Sequence, residues 1–528
     1  MNNLIRIEEI ALDINNDEAA LKSQIAAILL IKESDILSYK IAKKAIDSRN
    51  KRNIKFVYSL DVNVSDVKAI KAWSKIHRVR IRESFKYIVE PVKSSDRPVV
   101  VGFGPAGIFA SLVLSLAGLR PIVIERGHEV GERTRFVGNF FKNSVLNTES
   151  NIQFGEGGAG TFFFFFLYTL VNDPRSAFIF NKLVEAGAPT DILTNANPHI
   201  GTDNLKIVVK KMRQLIIKLG AEIRFSTKLT NIEIKNGRLT GAILNNSERI
   251  STKNLVLAIG HSARDTYQMI YENHLEVAAK SFAIGLRIEH LRKNINQAQY
   301  GAFWNNPKLG AAKYKLVEHL EKERSVYTFC MCPGGSVVGA TSETGALVTN
   351  GMSLYAQNNT NSNSALLVPV SASDFGSNHP LAGIEFQRFW EKKAFLLGGS
   401  NYQAPAQLVG DFLNNRASTR LGEVIPSYLP GIKLGNINDC LPDYVSRSIR
   451  KALPKMDNKI KGFAHPEAVL TAIETRSSSP LRIARDESFQ SNVKGVYPCG
   501  EGAGYAGGIV SSAIDGLSVA EAIIKKIK

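Results

Sequence analysis

Glycines at GxGxxG spacing occur three times, at Gly102/Gly104/Gly107, Gly155/Gly157/Gly160 and Gly502/Gly504/Gly507, and such loops can bring backbone N–H groups against a phosphate. Three occurrences show how little the bare pattern says, so context has to choose among them. Only the first has the full setting. An apolar strand, Pro98-Val99-Val100-Val101, precedes it, a helix from Pro105 to Ala117 follows, and a second strand, Pro121 to Ile124, ends on Glu125 and Arg126. Here Gly102 permits the tight turn, Gly104 lets the backbone approach a pyrophosphate, and Gly107 lets the helix pack closely on the sheet. Pro105 and Ala106 open that helix, whose free N–H groups and partial positive charge face the anion. Glu125, 18 residues after Gly107, is placed to accept hydrogen bonds from a ribose, and an acid there disfavours a 2′-phosphate.

The other glycine clusters gain meaning from the first. Gln153 to Thr161 supplies Gly157, Gly158, Ala159, Gly160 and Thr161 after the nucleotide unit, and Gly500 to Gly508 lies between a strand and the last helix. Alone, each would be a flexible loop. With Val256-Leu257-Ala258-Ile259-Gly260-His261 they make the three-part signature expected of an FAD domain. In that reading Gly260 ends a strand over the adenine side and Glu501, next to Gly500, bonds the ribityl hydroxyls. The last helix, Ser511 to Ile527, reached through Gly508 and Ile509, then aims its positive end at the flavin's pyrimidine edge.

Catalytic residues stay unassigned. His261 reads as structural for want of an identifiable partner, and Arg476 as either an ion-pair residue or a group steadying an anion. The four cysteines form no CxxC or CxxxxC pair, which leaves the flavin disulfide-reductase mechanism without candidates, and Cys330-x-Cys332 reads as buried packing. No metal-ligand spacing, Ser-His-Asp set or HExxH motif stands out, so hydrolase chemistry has no support. A second strand-GxGxxG-helix unit is missing. If NAD(P)H is the reductant, it must visit the flavin transiently, and the small-molecule electron acceptor could use the same cleft.

The elements that must position these residues fall into four segments. Residues 1–92 read as strand (Ile5 to Leu12), helix (Glu18 to Ile31), two strands (Ser38 to Asp47, Ile54 to Val64), helix (Ser65 to Lys75) and strand (Phe85 to Val89). That is a ferredoxin-like βαββαβ order. A polar linker, Lys93 to Asp96, leads to residues 97–274, the first part of a Rossmann-like α/β FAD-binding domain of the glutathione-reductase type. Residues 275–469 form an inserted mixed α+β substrate or cap domain, and residues 470–528 return to complete the FAD domain.

At 528 residues, 44% hydrophobic and 22% charged, the chain has ordinary globular composition and room for several cores. The acids Glu8, Glu9 and Asp13 near the start leave no signal-peptide core, and the few cysteines fit a reducing, cytoplasmic compartment. Pro98 to Leu119 lacks charge but is punctuated by glycines and Pro105, so it reads as strand, turn and helix and not as a membrane span. The net charge of +18 is concentrated early: Lys40 to Lys86 holds 14 Lys or Arg against 4 Asp or Glu. With Phe56 and Tyr58 on one strand face, this motivates a second reading, an RNA-directed flavoprotein, although the glycine-aromatic signature of RNA-recognition sheets is absent. Oligomeric state is open at this level.

Taken together, Val101 to Gly107, Asn151 to Thr161, Pro198-His199-Ile200-Gly201-Thr202-Asp203, Gly260 to Asp265 and Gly500 to Tyr505 resemble a family of uncharacterised bacterial FAD-dependent dehydrogenases with an N-terminal ferredoxin-like domain. The resemblance spans nearly the whole chain and implies FAD binding and a redox role. One departure stands out. Where the family looks like Ser-Asp-Gly-Lys before Leu-Tyr-Thr, this chain has Phe163, Phe164, Phe165 and Phe166, which removes a glycine, an acid and a base from a loop near the flavin. By itself the aromatic run reads as a buried edge, and it motivates a third reading, FAD held without redox turnover.

Overall fold

The computed structural model describes residues 4–65, 73, 75–82, 85–161 and 173–528. The period-2 pattern of Lys55–Val64 makes it an inner strand of a four-stranded antiparallel sheet, in the order Ile36–Asp47, Lys55–Val64, Leu4–Asp13, Val79–Ile81. Ile5, Ile7, Phe56, Tyr58, Leu60 and Val62 share its buried face with Ile25 and Leu29 of the helix Leu21–Leu29. Phe56 and Tyr58, which base stacking would need exposed, are 6% and 2% exposed, and the Tyr58 hydroxyl donates to Glu18. The aromatic ground for an RNA-directed reading is thereby removed.

The strand expected at Phe85–Val89 needs correction. Val79–Ile81 pairs with Ile5–Ile7 in its place, while Tyr87 stacks on Phe178 and donates to Glu521. Apolar residues alternate there because they lie against the neighbouring α/β layer. The helix expected over Ser65 to Lys75 falls largely outside the described residues, as does the run Phe162 to Phe166.

The second unit is a parallel five-stranded sheet with Val99–Val101 at its centre. Ile122–Ile124 and Glu222–Arg224 extend it on one side, Leu255–Leu257 and Val496–Pro498 on the other. Strand addition reverses between Val99–Val101 and Leu255–Leu257, and at such a reversal the carboxyl ends of the strands leave a crevice. The helices Pro105–Leu116 and Ile509–Ile527 pack side by side over the sheet, with Ala106, Ala110, Ala513, Leu517 and Ala520 in the shared core. The contact is close enough that a Cβ on Gly516 would lie 2.2 Å from the Ala106 carbonyl oxygen. The uncharged run from Pro98 is thus strand and buried helix. Among the described residues no helix is long and apolar enough to cross a membrane.

The third unit is a seven-stranded sheet in the order Val317–Glu318, Val326–Cys332, Asn361–Val370, Phe282–Leu291, Val469–Glu474, Ala404–Leu408, Ile432–Leu434. Its two faces differ sharply. Ile284, Leu286, Ile288, Leu366 and Val368 share a core with Val445, Ile449, Leu453 and Met456 of the helix Asp443–Lys459. The opposite face carries Arg287, Asn363, Cys332 and Glu474, linked to one another by hydrogen bonds and overlaid by Asn350 of the hairpin Ser336–Gly339/Thr349–Met352. Val469–Glu474 precedes the parallel strand Val496–Pro498 and the helix Ile509–Ile527 in sequence yet runs in this sheet, so the segment around residue 470 joins both units.

Candidate functional site

Two helix N-termini open onto one cleft at the carboxyl ends of the parallel strands. The helix Pro105–Leu116 starts after Gly104 and the helix Ile509–Ile527 after Gly508; neither has a side chain capping its first N–H groups. Uncapped N–H groups carry partial positive charge and call for an acceptor. The cleft is walled by Gly102, Gly104, Pro105, Ala106, Glu125, Arg126, Gly158, Ala159, Gly160, Gly260, Glu501, Gly508 and Ile509. Thirteen of the seventeen expected cofactor-site residues therefore meet at one place, although they come from five separated stretches of chain.

The other four stand behind the wall. Gly107 lies in the first turn of the helix Pro105–Leu116, where a Cβ would fall 1.9 Å from the Gly102 carbonyl oxygen. Gly157 has φ +85° and a Cβ there would fall 2.0 Å from Thr161 Oγ1, while Thr161 itself is buried and donates to the Glu156 carbonyl. Gly500 donates its N–H to Asp515, which is paired with Arg485. These residues shape the loops that present the wall. Glycine spacing marks both kinds of position alike, which is why the sequence does not separate them.

Glu125 is more committed than its position as a ribose acceptor implies. Its carboxylate accepts N–H bonds from Phe103, Gly127 and Gly155, each at 2.9 Å, which ties three loops together. Of the roughly four acceptor positions of a carboxylate, about one is left open, and Glu125 lines the cleft. Arg126 is bidentate on Asp265, bonds Glu149 and lies 4.1 Å from the centre of the Phe154 ring.

At the other end Glu501 and His261 form a weakly paired couple, Oε1 to Nε2 at 3.9 Å. Burial pushes the Glu501 carboxyl up to about 7, with Lys280 acting in the opposite sense. Burial, helped by the charges of Arg476 and Arg264, brings His261 down to about 3, so its ring is neutral. His261 Nδ1 is buried without a hydrogen-bond partner although the ring lines the cleft. A buried orphan of this kind calls for a partner atom in the cleft. His261 thus belongs to the site; its place directly after Gly260 was the available signal.

Arg476 resolves as a structural residue. The residue is 3% exposed, and its guanidinium bonds both oxygens of Glu391 together with Ser262 and Ser342. Arg264 bonds the same carboxylate, and against the cost of burial the two cations hold Glu391 far below the usual carboxylate range. The network clamps the loop after Gly260 to the helix Ala382–Leu397.

Comparison with known proteins gives one close relative and a set of remote ones. An uncharacterized protein of Clostridium beijerinckii is 50% identical over 531 residues, covering 99% of this chain and 99% of its own. Residues 281–477 match the family described as FAD-dependent protein, C-terminal domain-like, and residues 4–63 match a domain of unknown function. Among solved structures, the halogenase PltM in complex with FAD has a TM-score of 0.40 at 10% identity, covering 82% of this chain and 70% of its own. The flavin-dependent brominase Bmp2 has a TM-score of 0.38 at 11% identity, covering 82% and 79%.

Proposed function

Because the chain belongs to one family with the Clostridium beijerinckii protein and carries the FAD-dependent-protein C-terminal domain, its cofactor is FAD, and we propose that it is a dehydrogenase-type oxidoreductase acting on a small molecule. The observation that carries this reading is the convergence of two uncapped helix N-termini on one cleft at the strand-order reversal. FAD supplies a centre that takes up and gives back electron pairs. What remains is for the chain to hold, orient and insulate it.

In this proposal the first turn of Pro105–Leu116 holds the pyrophosphate, with Gly104 leaving the approach free of a side chain. Glu125 receives a ribose hydroxyl on its remaining acceptor position, and Glu501 does the same for the ribityl chain. Glu501 sits near neutrality in its proton occupancy, so it can both donate and accept a hydrogen bond. The first turn of Ile509–Ile527 puts partial positive charge where negative charge grows on reduction, which favours electron uptake. His261, held neutral, offers Nδ1 to the cofactor or to a proton in transit. The substrate would reach the flavin through the same cleft.

The glutathione-reductase type of the FAD domain is part of the proposal, supported by the parallel strand order. So is a ferredoxin-like N-terminal unit, supported by the order Ile36–Asp47, Lys55–Val64, Leu4–Asp13, Val79–Ile81. A cytoplasmic location and a transient NAD(P)H donor complete it. The test is an absorption spectrum of purified protein, followed by anaerobic addition of NADH or NADPH. A flavin spectrum bleached by either donor is the expected result; a protein that takes up no FAD, or bound FAD that neither donor bleaches, defeats the oxidoreductase reading.

A further inference from the structure

A second pocket lies against the cofactor cleft and shares Arg126, Phe154 and Ser262 with its wall. It is closed by the loop after Gly260, by the loop joining the strands Ser336–Gly339 and Thr349–Met352, and by the helix Ala382–Leu397, which contributes Arg388 and Lys392. Four residues apart, those two cations stand on one helix face. Ser262 belongs to both walls and follows His261 in the chain, so a molecule anchored in this pocket reaches past it into the cleft.

The polar groups of this pocket are unequally spent. Each of its acids already faces two cations: Glu149 and Asp265 face Arg126 and Lys228, and Glu343 faces Arg264 and Arg388. The donors are left over. Arg264 is 3% exposed and gives its two Nη groups to Glu343, Glu391 and Gln387, but its Nε is buried without a hydrogen-bond partner. Arg388 bonds Glu343 and Glu385 through Nε and one N–H of each Nη, which leaves two of its five N–H groups unspent. Lys392 is exposed and makes no ion pair among the described residues. Surplus donors beside spent acids select a ligand that accepts, an anion. A phosphate monoester carries three acceptor oxygens pointing in different directions, which suits donors that arrive from two separate elements better than the two coplanar oxygens of a carboxylate.

We propose that this pocket binds the phosphate monoester of the molecule that visits the flavin, with Lys392, Arg388 and Arg264 Nε as its donors. The 2′-phosphate of NADPH is one carrier of that group, and a phosphorylated substrate is the other. In the first case the pocket makes the protein prefer NADPH to NADH. In the second it selects the substrate and leaves the two donors equal. Arg264 has two tasks, clamping Glu391 through its Nη groups and meeting the ligand through Nε. Lys392 has one, which makes it the residue to change. The inference rests on FAD occupying the adjoining cleft.

The test uses the FAD-bound protein at fixed ionic strength. Equilibrium dialysis with radiolabelled inorganic phosphate should show saturable binding to the wild type, and Lys392→Glu should weaken it by about tenfold or more. Lys393→Glu makes the same change of charge one residue away, outside the pocket, and should keep wild-type phosphate binding. Phosphate that fails to bind the FAD-loaded wild type, or that binds Lys392→Glu as tightly as the wild type, overturns this inference and leaves the flavin reading standing. Anaerobic bleaching by NADPH and by NADH then identifies the carrier. Half-saturation at an NADPH concentration about tenfold or more below that of NADH, with the preference lost in Lys392→Glu and kept in Lys392→Arg, identifies the 2′-phosphate. Equal half-saturation by the two donors, with inorganic phosphate still bound, assigns the pocket to a phosphorylated substrate. A protein that takes up no FAD defeats this inference together with the flavin reading.

Discussion

The cofactor cleft and the polar face of the seven-stranded sheet are both buried, and they are built from opposite materials. The cleft is lined largely by backbone: glycines, helix N-termini and strand ends leave N–H groups facing inward. The sheet face is made of side chains, with Arg287 at its centre spending all five donors on Glu474, Asn350, Asn363 and the Cys330 carbonyl. A backbone-lined site tolerates changes of side chain but not of shape. A side-chain network behaves the other way, because every member is desolvated and depends on its partners.

The largest effect should come from breaking the sheet network on one side only. Glu474→Ala leaves Arg287 charged and unpaired at 0% side-chain exposure, which should cost about 3–5 kcal/mol in urea unfolding. Arg287→Met combined with Glu474→Leu should recover most of that loss, since no buried charge then remains; an equal loss in the double variant would show that shape and not charge governs this face.

Next comes the shape of the cleft. Gly107→Ala places a methyl against the Gly102 carbonyl and should cost about 1–3 kcal/mol, with FAD content lost in parallel. Full FAD occupancy in this variant would break the contrast.

Smaller effects follow from the His261–Glu501 couple, measured as unfolding free energy of cofactor-stripped protein against pH. His261 titrates near 3 folded and 6.5 unfolded, so acidification below 6.5 protonates only the unfolded chain and destabilises the fold. Glu501 titrates near 7 folded and 4.5 unfolded, so its contribution is fully present below 4.5 and lost as pH rises through 7. Between 4.5 and 6.5 the two slopes oppose. Glu501→Gln should expose a loss of about 1 kcal/mol per unit of acidification, and His261→Gln a gain of similar size. Parallel profiles in the two variants would mean that the couple does not titrate as the geometry requires.

The smallest effect is expected at the cleft rim. Arg126→Ala removes a pair with Asp265, whose side chain is 43% exposed, and should cost less than about 1 kcal/mol in stability. A larger FAD-affinity loss at unchanged stability would assign Arg126 a direct hold on the cofactor.

Much of the cleft was legible in the sequence. The strand-glycine-helix unit at Gly102 lies within one local stretch, and the last helix, Ile509–Ile527, falls close to where the sequence puts it. The fourth N-terminal strand was misplaced because Tyr87 and Val89 alternate like a strand while facing the α/β unit. Cys330-x-Cys332 was read as packing, and Cys332 is fully buried at the end of its strand; nothing near it in sequence points to its neighbour Arg287.

By itself the sequence determined where the chain turns, which turns lack side chains and which helices begin without caps, because these depend on conformational rules that act within a few residues. Only the tertiary structure decided that Arg287, Cys332, Asn350, Asn363 and Glu474 share one buried face. That outcome follows from strand register and hairpin docking between segments up to 187 residues apart, and a one-residue slip in either would turn those side chains to the other side.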